Sequence, residues 1–389
     1  MSVTGSGLRV FPKLVLTAVF ATTLAQCGGE DALGPESLSE RQLAFIGTLG
    51  TLTDVYLVNA DGSDLVNLTN ASEPYTDLSW SPDGSRLAVA TEERLIYIVN
   101  ADGSGRTLVT GGTLTGRAPV WSPDGTRLAF EEGFWPDGDV FMAYAATGAV
   151  SNVSRTSRDE YAPAWSPDGS LIAFVRALIN SNEEIFVTHP DTGDAVQLTD
   201  HPAGDFRPVW SADGLRIAFM SFRDGGGSLY AMGAGGESQT RLTSFEAKYT
   251  LVSWSPDAMR LVALSEVLDD YEVRIVNADA SGDANLSNSS AREDCPVWSP
   301  DGGSIAYLSY RNDGYGVIYV ADPQGGAAAD LTGPTAVDQC PVWSADGEWL
   351  ATTSFLAPDA PSGLTVMRRD GSDREVIVDL FVEEPRWRP

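Results

Sequence analysis

The sequence predicts an all-β protein folded as an eight-bladed β-propeller, and three observations support this expectation. Tryptophans recur at spacings of 41 to 45 residues, at Trp80, Trp121, Trp165, Trp210, Trp254, Trp298, Trp343 and Trp387. The first seven are each followed by Ser, then Pro or Ala, then Asp, as in WSPDG. Short apolar segments separated by turn residues follow, such as LAVA and IYIVN. A repeated unit of four short strands is typical of a propeller blade.

The WSPDG stretch predicts a tight turn between the first two strands of each unit. Pro presets φ, an Asp side chain accepts hydrogen bonds from nearby backbone N–H groups, and Gly tolerates positive φ. The turn aspartates are therefore expected to serve the scaffold, not catalysis: Asp83, Asp124, Asp168, Asp213, Asp257, Asp301 and Asp346. Ala258 replaces the Gly in one copy, which predicts strain or a different turn there.

The two ends of the repeat region predict how the ring closes. Residues 41–69 read as three strands without a Trp strand, whereas 382–389 read as a Trp strand with nothing after it. If both ends share one blade, the ring has eight blades and no free sheet edge is left at the junction. A seven-bladed ring with loose ends is the alternative.

The repeat resembles the TolB-type propeller repeat, also called PD40 or WD40-like. Residues 198–232, LTDHPAGDFRPVWSADGLRIAFMSFRDGGGSLYAM, carry nearly the whole family pattern. The resemblance covers about residues 41–389 and implies a β-propeller, but it implies no particular activity because propellers host many functions. Residues 27–40 are too few for the small α/β domain that precedes the propeller in TolB itself, so that domain is not expected.

The N-terminus predicts export. Residues 1–26 contain two basic residues and then an apolar run, as in a signal peptide. Leu-Ala-Gln-Cys resembles a bacterial lipobox, which implies lipidation of Cys27, followed by a flexible tether up to residue 40. Ordinary cleavage after Ala25 is the alternative. The expected location is the bacterial cell envelope, in the periplasm or at the outer membrane, with membrane attachment only through the lipid.

The charge balance limits the partners. The formal net charge is −29, which opposes binding to nucleic acid or anionic lipid and favours cations or basic proteins. Solubility alone is the competing explanation for so acidic a chain. We expect a monomer that recognises a protein or peptide, and no cofactor other than a possible calcium ion.

Cys295 and Cys340 each lie three residues before a Trp, in two copies of CPVW. An oxidising compartment permits a disulfide between these equivalent positions in adjacent blades. Two buried free thiols are the alternative, because equivalent positions around a ring can lie too far apart.

Catalytic motifs are scarce, and no catalytic residue is assigned. His189 and His201 are the only histidines and are expected on opposite faces. No Gly-x-Ser-x-Gly motif occurs, and a peptidase domain is not expected. These observations favour a non-catalytic binding propeller. The alternative is a metal-dependent lyase or lactonase with a carboxylate site in the central channel.

Departures from the repeat predict a binding surface on the face where the innermost strands begin. The candidate contact residues are Phe134, Trp135, Glu160, Tyr161, Asp205, Arg207, Tyr249, Glu293, Asp338 and Glu383. The carboxylates among them are expected to converge near the axis and to bind calcium or a basic segment. Neutralisation by Arg117 and Arg207 is the alternative.

Overall fold

The computed structural model describes residues 37–49, 52–70, 73–111, 114–133, 138–179, 182–243, 247–267, 270–312, 315–333, 337–355 and 362–389. Cys27, Phe134 and Trp135, and the predicted signal peptide, lie outside the described residues. Within these ranges every regular element is a strand, and the strands form eight antiparallel four-stranded sheets. None of the described residues forms a helix long and apolar enough to span a membrane.

The strands follow one another blade by blade along the chain. Blade 1 takes its outer three strands from β1 (Gln42–Leu49), β2 (Leu52–Asn59) and β3 (Val66–Asn67). Blade 2 contains β4 (Tyr75–Trp80), β5 (Arg86–Thr91), β6 (Ile96–Asn100) and β7 (Thr107–Leu108). Blade 3 contains β8 (Arg117–Trp121), β9 (Arg127–Glu132), β10 (Asp139–Tyr144) and β11 (Val150–Asn152). Blade 4 contains β12 (Glu160–Trp165), β13 (Ile172–Ala177), β14 (Glu183–Thr188) and β15 (Ala195–Gln197).

The remaining blades repeat this order, and the last strand returns to the first blade. Blade 5 contains β16 (Asp205–Trp210), β17 (Arg216–Ser221), β18 (Ser228–Gly233) and β19 (Thr240–Arg241). Blade 6 contains β20 (Lys248–Trp254), β21 (Arg260–Val267), β22 (Asp270–Asn277) and β23 (Asp283–Asn285). Blade 7 contains β24 (Glu293–Trp298), β25 (Ile305–Asn312), β26 (Tyr315–Ala321) and β27 (Ala329–Asp330). Blade 8 contains β28 (Val342–Trp343), β29 (Trp349–Phe355), β30 (Ser362–Arg368) and β31 (Glu375–Val378). The inner strand of blade 1 is β32 (Phe381–Trp387).

The ring closes through the two chain ends. Strand β32 pairs antiparallel with β1, with Leu43 opposite Trp387 and Thr48 opposite Phe381. The backbone N–H of Arg388 then donates to the carbonyl of Gln42 at 2.9 Å. The eight-blade prediction is confirmed, and the seven-blade alternative is wrong.

The core lies between neighbouring blades. The second strands are buried along most of their length, as in β13, because both of their faces are covered by adjacent sheets. One such cluster joins Ala44 and Leu57 of blade 1 to Trp80 and Leu87 of blade 2. Burial of apolar side chains from two sheets at once makes each blade depend on its neighbours.

The tryptophan side chains join the inner strands around the ring. The indole Nε1 donates to a backbone carbonyl of the preceding blade in seven cases: Trp80 to Arg386, Trp121 to Ser79, Trp165 to Val120, Trp210 to Ala164, Trp254 to Val209, Trp343 to Val297 and Trp387 to Val342. Trp298 is the exception, since its Nε1 is buried and finds no acceptor among the described residues.

Arginines six residues after the Trp cover the Trp ring of the next blade. Arg86, Arg127, Arg216 and Arg260 place their guanidinium carbons 4.9–5.3 Å from the ring centres of Trp121, Trp165, Trp254 and Trp298. The first three also donate to turn carbonyls of the next blade, at Gly125, Gly169 and Ala258. We call these four residues the bridging arginines. Arg260 donates instead to the Pro323 carbonyl of blade 7 at 3.1 Å, so each of the four combines a cation–π contact with a hydrogen bond across a blade junction.

The turn aspartates are scaffold, as the repeat predicts. In blade 2 the Ser81 hydroxyl donates to Asp83 at 2.6 Å, and the Ser85 N–H donates to the same carboxylate at 3.0 Å. The same two bonds recur in all seven turns. Ala258 adopts a φ of 56°, where the other turns have Gly. The predicted strain at that turn is therefore present, with a typical cost of about 1 kcal/mol.

Candidate binding site at the channel entrance

A bulge near the start of the inner strands decides where the entrance side chains lie. The register shifts there in seven of the eight blades, for example between Tyr161 and Ala164. Three residues before the Trp, φ is positive in five blades, at Ala118, Ala162, Arg207, Cys295 and Glu384. A bulge bends the strand and re-aims its side chains. The residue five positions before the Trp is therefore directed differently from the residue three before it.

The position five residues before the Trp is buried. It holds Glu160, Asp205, Glu293 and Asp338. Each of these carboxylates pairs with an arginine of its own blade, at 2.8 Å to Arg176, 2.8 Å to Arg223, 2.9 Å to Arg311 and 3.0 Å to Arg374. Each of the four carboxylates is neutralised by this arginine, as a buried carboxylate requires, and their convergence near the axis stays a prediction.

The neutralising arginines differ from those expected. Arg117 pairs with Glu131 at 2.8 Å, in its own blade, and Arg207 is exposed to solvent. Two of the arginines that pair with these buried carboxylates were predictable from the repeat. Arg223 and Arg311 both lie thirteen residues after a Trp, in SFRD and SYRN.

Tyr249 occupies the same position in blade 6 and is also buried. Its hydroxyl donates to Asp283 Oδ2 at 2.6 Å, and Arg274 contacts the other oxygen of that carboxylate, also at 2.6 Å. Tyr249 therefore completes a structural network and is not accessible to a partner.

Among the predicted contact residues that the structure describes, three are accessible: Tyr161, Arg207 and Glu383. Partial burial raises the pKa of Tyr161, and the negative charges of Glu183, Asp159 and Glu131 raise it further. Arg207 lowers the same pKa through its positive charge. The phenol therefore stays protonated and available as a hydrogen-bond donor within an acidic surrounding.

Two further carboxylates lie at the entrance, where the sequence also places them. Asp77 and Glu384 each lie three residues before a Trp, in the adjacent blades 2 and 1. Burial raises the pKa of Asp77 to about 7, and the charge of Glu384 contributes while Arg386 opposes the rise. Burial and the Glu384 charge likewise raise the pKa of Glu383. We call Asp77, Glu383 and Glu384 the acidic entrance cluster.

The position three residues before the Trp was detectable from the repeat. It holds both cysteines. Cys295 lies in the inner strand of blade 7, and Cys340 lies just before the inner strand of the adjacent blade 8. The structure joins Cys295 and Cys340 as a disulfide with a Cα separation of 5.4 Å. That separation is within the usual range, so geometry does not forbid the bond.

A second carboxyl pair lies between blades 3 and 4. The pKa of Asp139 is raised to about 7, and burial is the largest cause. A hydrogen bond with Glu160 and the negative charge of Glu160 raise the same pKa further. No three His, Cys, Asp or Glu side chains come together as a metal site among the described residues. Four of the five carboxylates expected as calcium ligands are paired with arginines, and calcium binding at the entrance stays a prediction.

Asp77→Asn should flatten the pH dependence of stability between about pH 4 and pH 7. The pKa of Asp77 in the folded protein is about 7, above the value near 4 of an unfolded aspartate. The folded state therefore holds an extra proton in this interval. This stabilising contribution is present below about pH 4 and is lost as the pH rises through 7, at about 1.4 kcal/mol per pH unit. Urea unfolding at several pH values measures the free energy of unfolding of the wild type and the variant. If the two plots of this free energy against pH run parallel, the raised pKa of Asp77 is contradicted.

The comparisons with known proteins place the repeat in a family. The model of the TolB beta propeller domain (PD40) matches residues 89–307, more than half of the chain. The chain belongs to the TolB β-propeller family. No curated protein matches this family member significantly.

Solved structures share the fold of this TolB-type propeller. An oligogalacturonate lyase in complex with manganese is 17% identical with a TM-score of 0.57, over 72% of this chain and 85% of that chain. Dipeptidyl peptidase 4 of Porphyromonas gingivalis is 14% identical with a TM-score of 0.59, over 79% of this chain and 55% of that chain. A putative TolB from Agrobacterium tumefaciens is 21% identical with a TM-score of 0.47, over 67% of this chain and 94% of that chain. The lyase and peptidase structures, with TM-scores above 0.5, establish the fold alone at these identities.

Proposed function

We propose that this protein is a non-catalytic binding propeller of the bacterial envelope that recognises a basic protein or peptide segment at its channel entrance. The observation that carries the proposal is the acidic entrance cluster. Four other entrance carboxylates are neutralised inside their blades. Glu384 pairs with Arg386 of its own strand, but Asp77 and Glu383 form no such ion pair with an arginine among the described residues, and burial together with the Glu384 charge raises the pKa of both. A cationic group placed there would relieve this repulsion.

Apolar surface beside the cluster supports a peptide rather than a bare ion as the ligand. Phe381 is 41% exposed and Leu49 is 63% exposed. The two lie near each other, since Phe381 pairs with Thr48 in the register of β1 and β32. An apolar side chain next to a basic one would satisfy both features. Tyr161 and Arg207 add polar contacts on other blades of the entrance.

The proposed location and anchor rest on the sequence. Residues 1–26 have the pattern of a signal peptide, and Cys27 lies in a lipobox-like context. A fold shared with TolB-type propellers is compatible with this location. The competing function, a metal-dependent lyase or lactonase, has the fold likeness but no three-residue donor group among the described side chains.

Replacing the acidic entrance cluster should weaken binding of a basic peptide. The probe is a fluorescein-labelled peptide that alternates arginine and leucine, measured by anisotropy at low and physiological salt. The triple variant D77N/E383Q/E384Q should bind about tenfold or more weakly, because three carboxylates that face the probe lose their charge.

A matched triple variant controls for net charge. Asp61, Asp102 and Asp279 lie in hairpin turns, where each carboxylate accepts a backbone N–H. Changing all three to Asn removes the same charge away from the entrance and should weaken binding by less than about twofold. Equal losses in the two triple variants would reduce the effect to nonspecific charge and overturn the proposed site.

A further inference from the structure

The junction between blades 4 and 5 lacks a bridging arginine. Leu171 occupies the position of Arg86 and Arg127. Blade 7 has Ser304 there, but Arg369 covers Trp343 from 6.0 Å and donates to the Ser304 hydroxyl. At the ring closure, Arg388 lies over Trp80. Over Trp210, as over Trp387, none of the described residues places a guanidinium.

A groove lies at this junction, where Leu171 packs on the core cluster that contains Trp210, which is 7% exposed. It encloses about 410 Å³ between blades 4 and 5, on the face opposite the channel entrance. Trp210 and Leu171 lie in its lining together with Pro167, Asp168 and Gly214. A larger groove of about 1150 Å³ lies beside Trp349 and Trp387, but Arg41, Arg368 and Arg388 already line it. The Trp210 groove is lined by two carboxylates, Asp168 and Asp213, and by no cation.

The rim of the Trp210 groove also departs from the repeat. In blades 2 to 4 the residue after the turn Gly is Ser85, Thr126 or Ser170, whose hydroxyl donates to the turn aspartate. Blade 5 has Leu215 at this position, and its side chain is 67% exposed. An apolar side chain held in water at a turn that favours a hydroxyl offers a contact for an apolar partner group.

We propose that the Trp210 groove binds an arginine side chain of a partner segment, in the manner of the missing bridging arginine. The neighbouring junction shows the geometry from within the chain. Arg127 lies 4.9 Å from the centre of the Trp165 ring and donates to the Gly169 carbonyl at 2.9 Å. The equivalent acceptor at the groove is the Gly214 carbonyl, which accepts no hydrogen bond from the described residues.

The chemistry of the groove favours arginine over lysine. A planar guanidinium stacks on an indole while its N–H groups point sideways to a carbonyl, which a lysine ammonium cannot do. Asp168 and Asp213 add favourable charge. An apolar residue next to the arginine would cover Leu215. The ligand class is therefore a peptide segment with adjacent apolar and arginine residues, and the site is separate from the acidic entrance cluster.

NMR of the indole N–H groups tests the site directly. The full folded protein is labelled with ¹⁵N-tryptophan, and the Trp210 signal is identified by its loss in Trp210→Phe. The probe is the acetylated and amidated tripeptide Leu-Arg-Ala, and its isosteric citrulline version is the control. We expect the Trp210 signal to shift with the arginine peptide, and the citrulline peptide to bind at least about tenfold more weakly.

Two variants make the test specific to the missing arginine. Leu171→Arg restores a bridging residue, so it should cover Trp210 and eliminate the shift. Arg127→Leu opens the equivalent groove over Trp165 and should let that indole signal respond as well. If Arg127→Leu fails to fold, Leu171→Arg still decides the question.

An unmoved Trp210 signal at about 100 mM peptide, above the Kd of roughly 30 mM that one stacked side chain alone would give, would overturn the proposal. An equal response to the citrulline peptide, or a shift that persists in Leu171→Arg, would do the same. D77N/E383Q/E384Q should leave the Trp210 response unchanged. This result separates failure of the groove from failure of the entrance site.

Discussion

Deleting residues 382–389 should strongly destabilise the whole propeller. The deletion removes most of β32, which pairs with β1 along blade 1. It also removes Trp387, which is buried with Phe45 and Leu364 in the core cluster between blades 8 and 1. Loss of a buried Trp alone costs about 3–5 kcal/mol. The carbonyl that accepts from the Trp80 indole disappears as well, and blade 1 is left with an exposed edge.

Urea unfolding measures this effect, with two milder variants as controls. Deleting only Arg388 and Pro389 keeps the strand and its Trp but removes the guanidinium from Trp80, so it should cost no more than about 2 kcal/mol. Trp387→Phe retains most of the apolar burial but loses the indole hydrogen bond to Val342. Equal unfolding midpoints for the long deletion and the wild type would show that ring closure contributes nothing to stability.

Arg311→Met should destabilise the protein by about 3–5 kcal/mol, because it leaves the buried carboxylate of Glu293 without its cation. Burial already raises the pKa of Glu293, and Arg311 is the group that counteracts the rise. Without the arginine the pKa rises further. The folded state then binds a proton more tightly than the unfolded chain, so the variant should recover part of its stability as the pH falls from 7 towards about 4.

The double variant E293Q/R311M separates the cost of an unpaired charge from the value of the pair. Removing both charges should restore most of the lost stability, because a buried ion pair adds little once its desolvation is counted. Lys248→Met is the surface control, since Lys248 is half-exposed and pairs with Glu266 at 3.1 Å. Its effect should stay below about 1 kcal/mol. A double variant as unstable as Arg311→Met would refute the unpaired-charge explanation.

The amino-acid sequence determined the architecture, because the information is local and repeated. The Trp spacing, the turn chemistry and the unmatched segments at 41–69 and 382–389 were enough to predict eight blades and their closure. The role of the turn aspartates was equally predictable, since their partners lie within three residues in the chain. Such contacts depend on turn geometry that the residues themselves prescribe.

Only the tertiary structure decided which entrance residues face solvent and which face the core. Blades 4 and 5 each contain one bulge, and these bulges place Glu160 and Asp205 in the interior while Arg207 stays exposed. Residue type alone does not predict this change of side-chain direction. The partner of Asp338 is Arg374, 36 residues further along the chain, and no sequence motif predicts this pair. The groove over Trp210 likewise lies where Leu171 packs on the core cluster of blades 4 and 5 in place of a bridging arginine. Ion-pair partners, side-chain burial and grooves depend on which side chains the folded ring brings together. Residues that are neighbours in the chain do not determine these contacts.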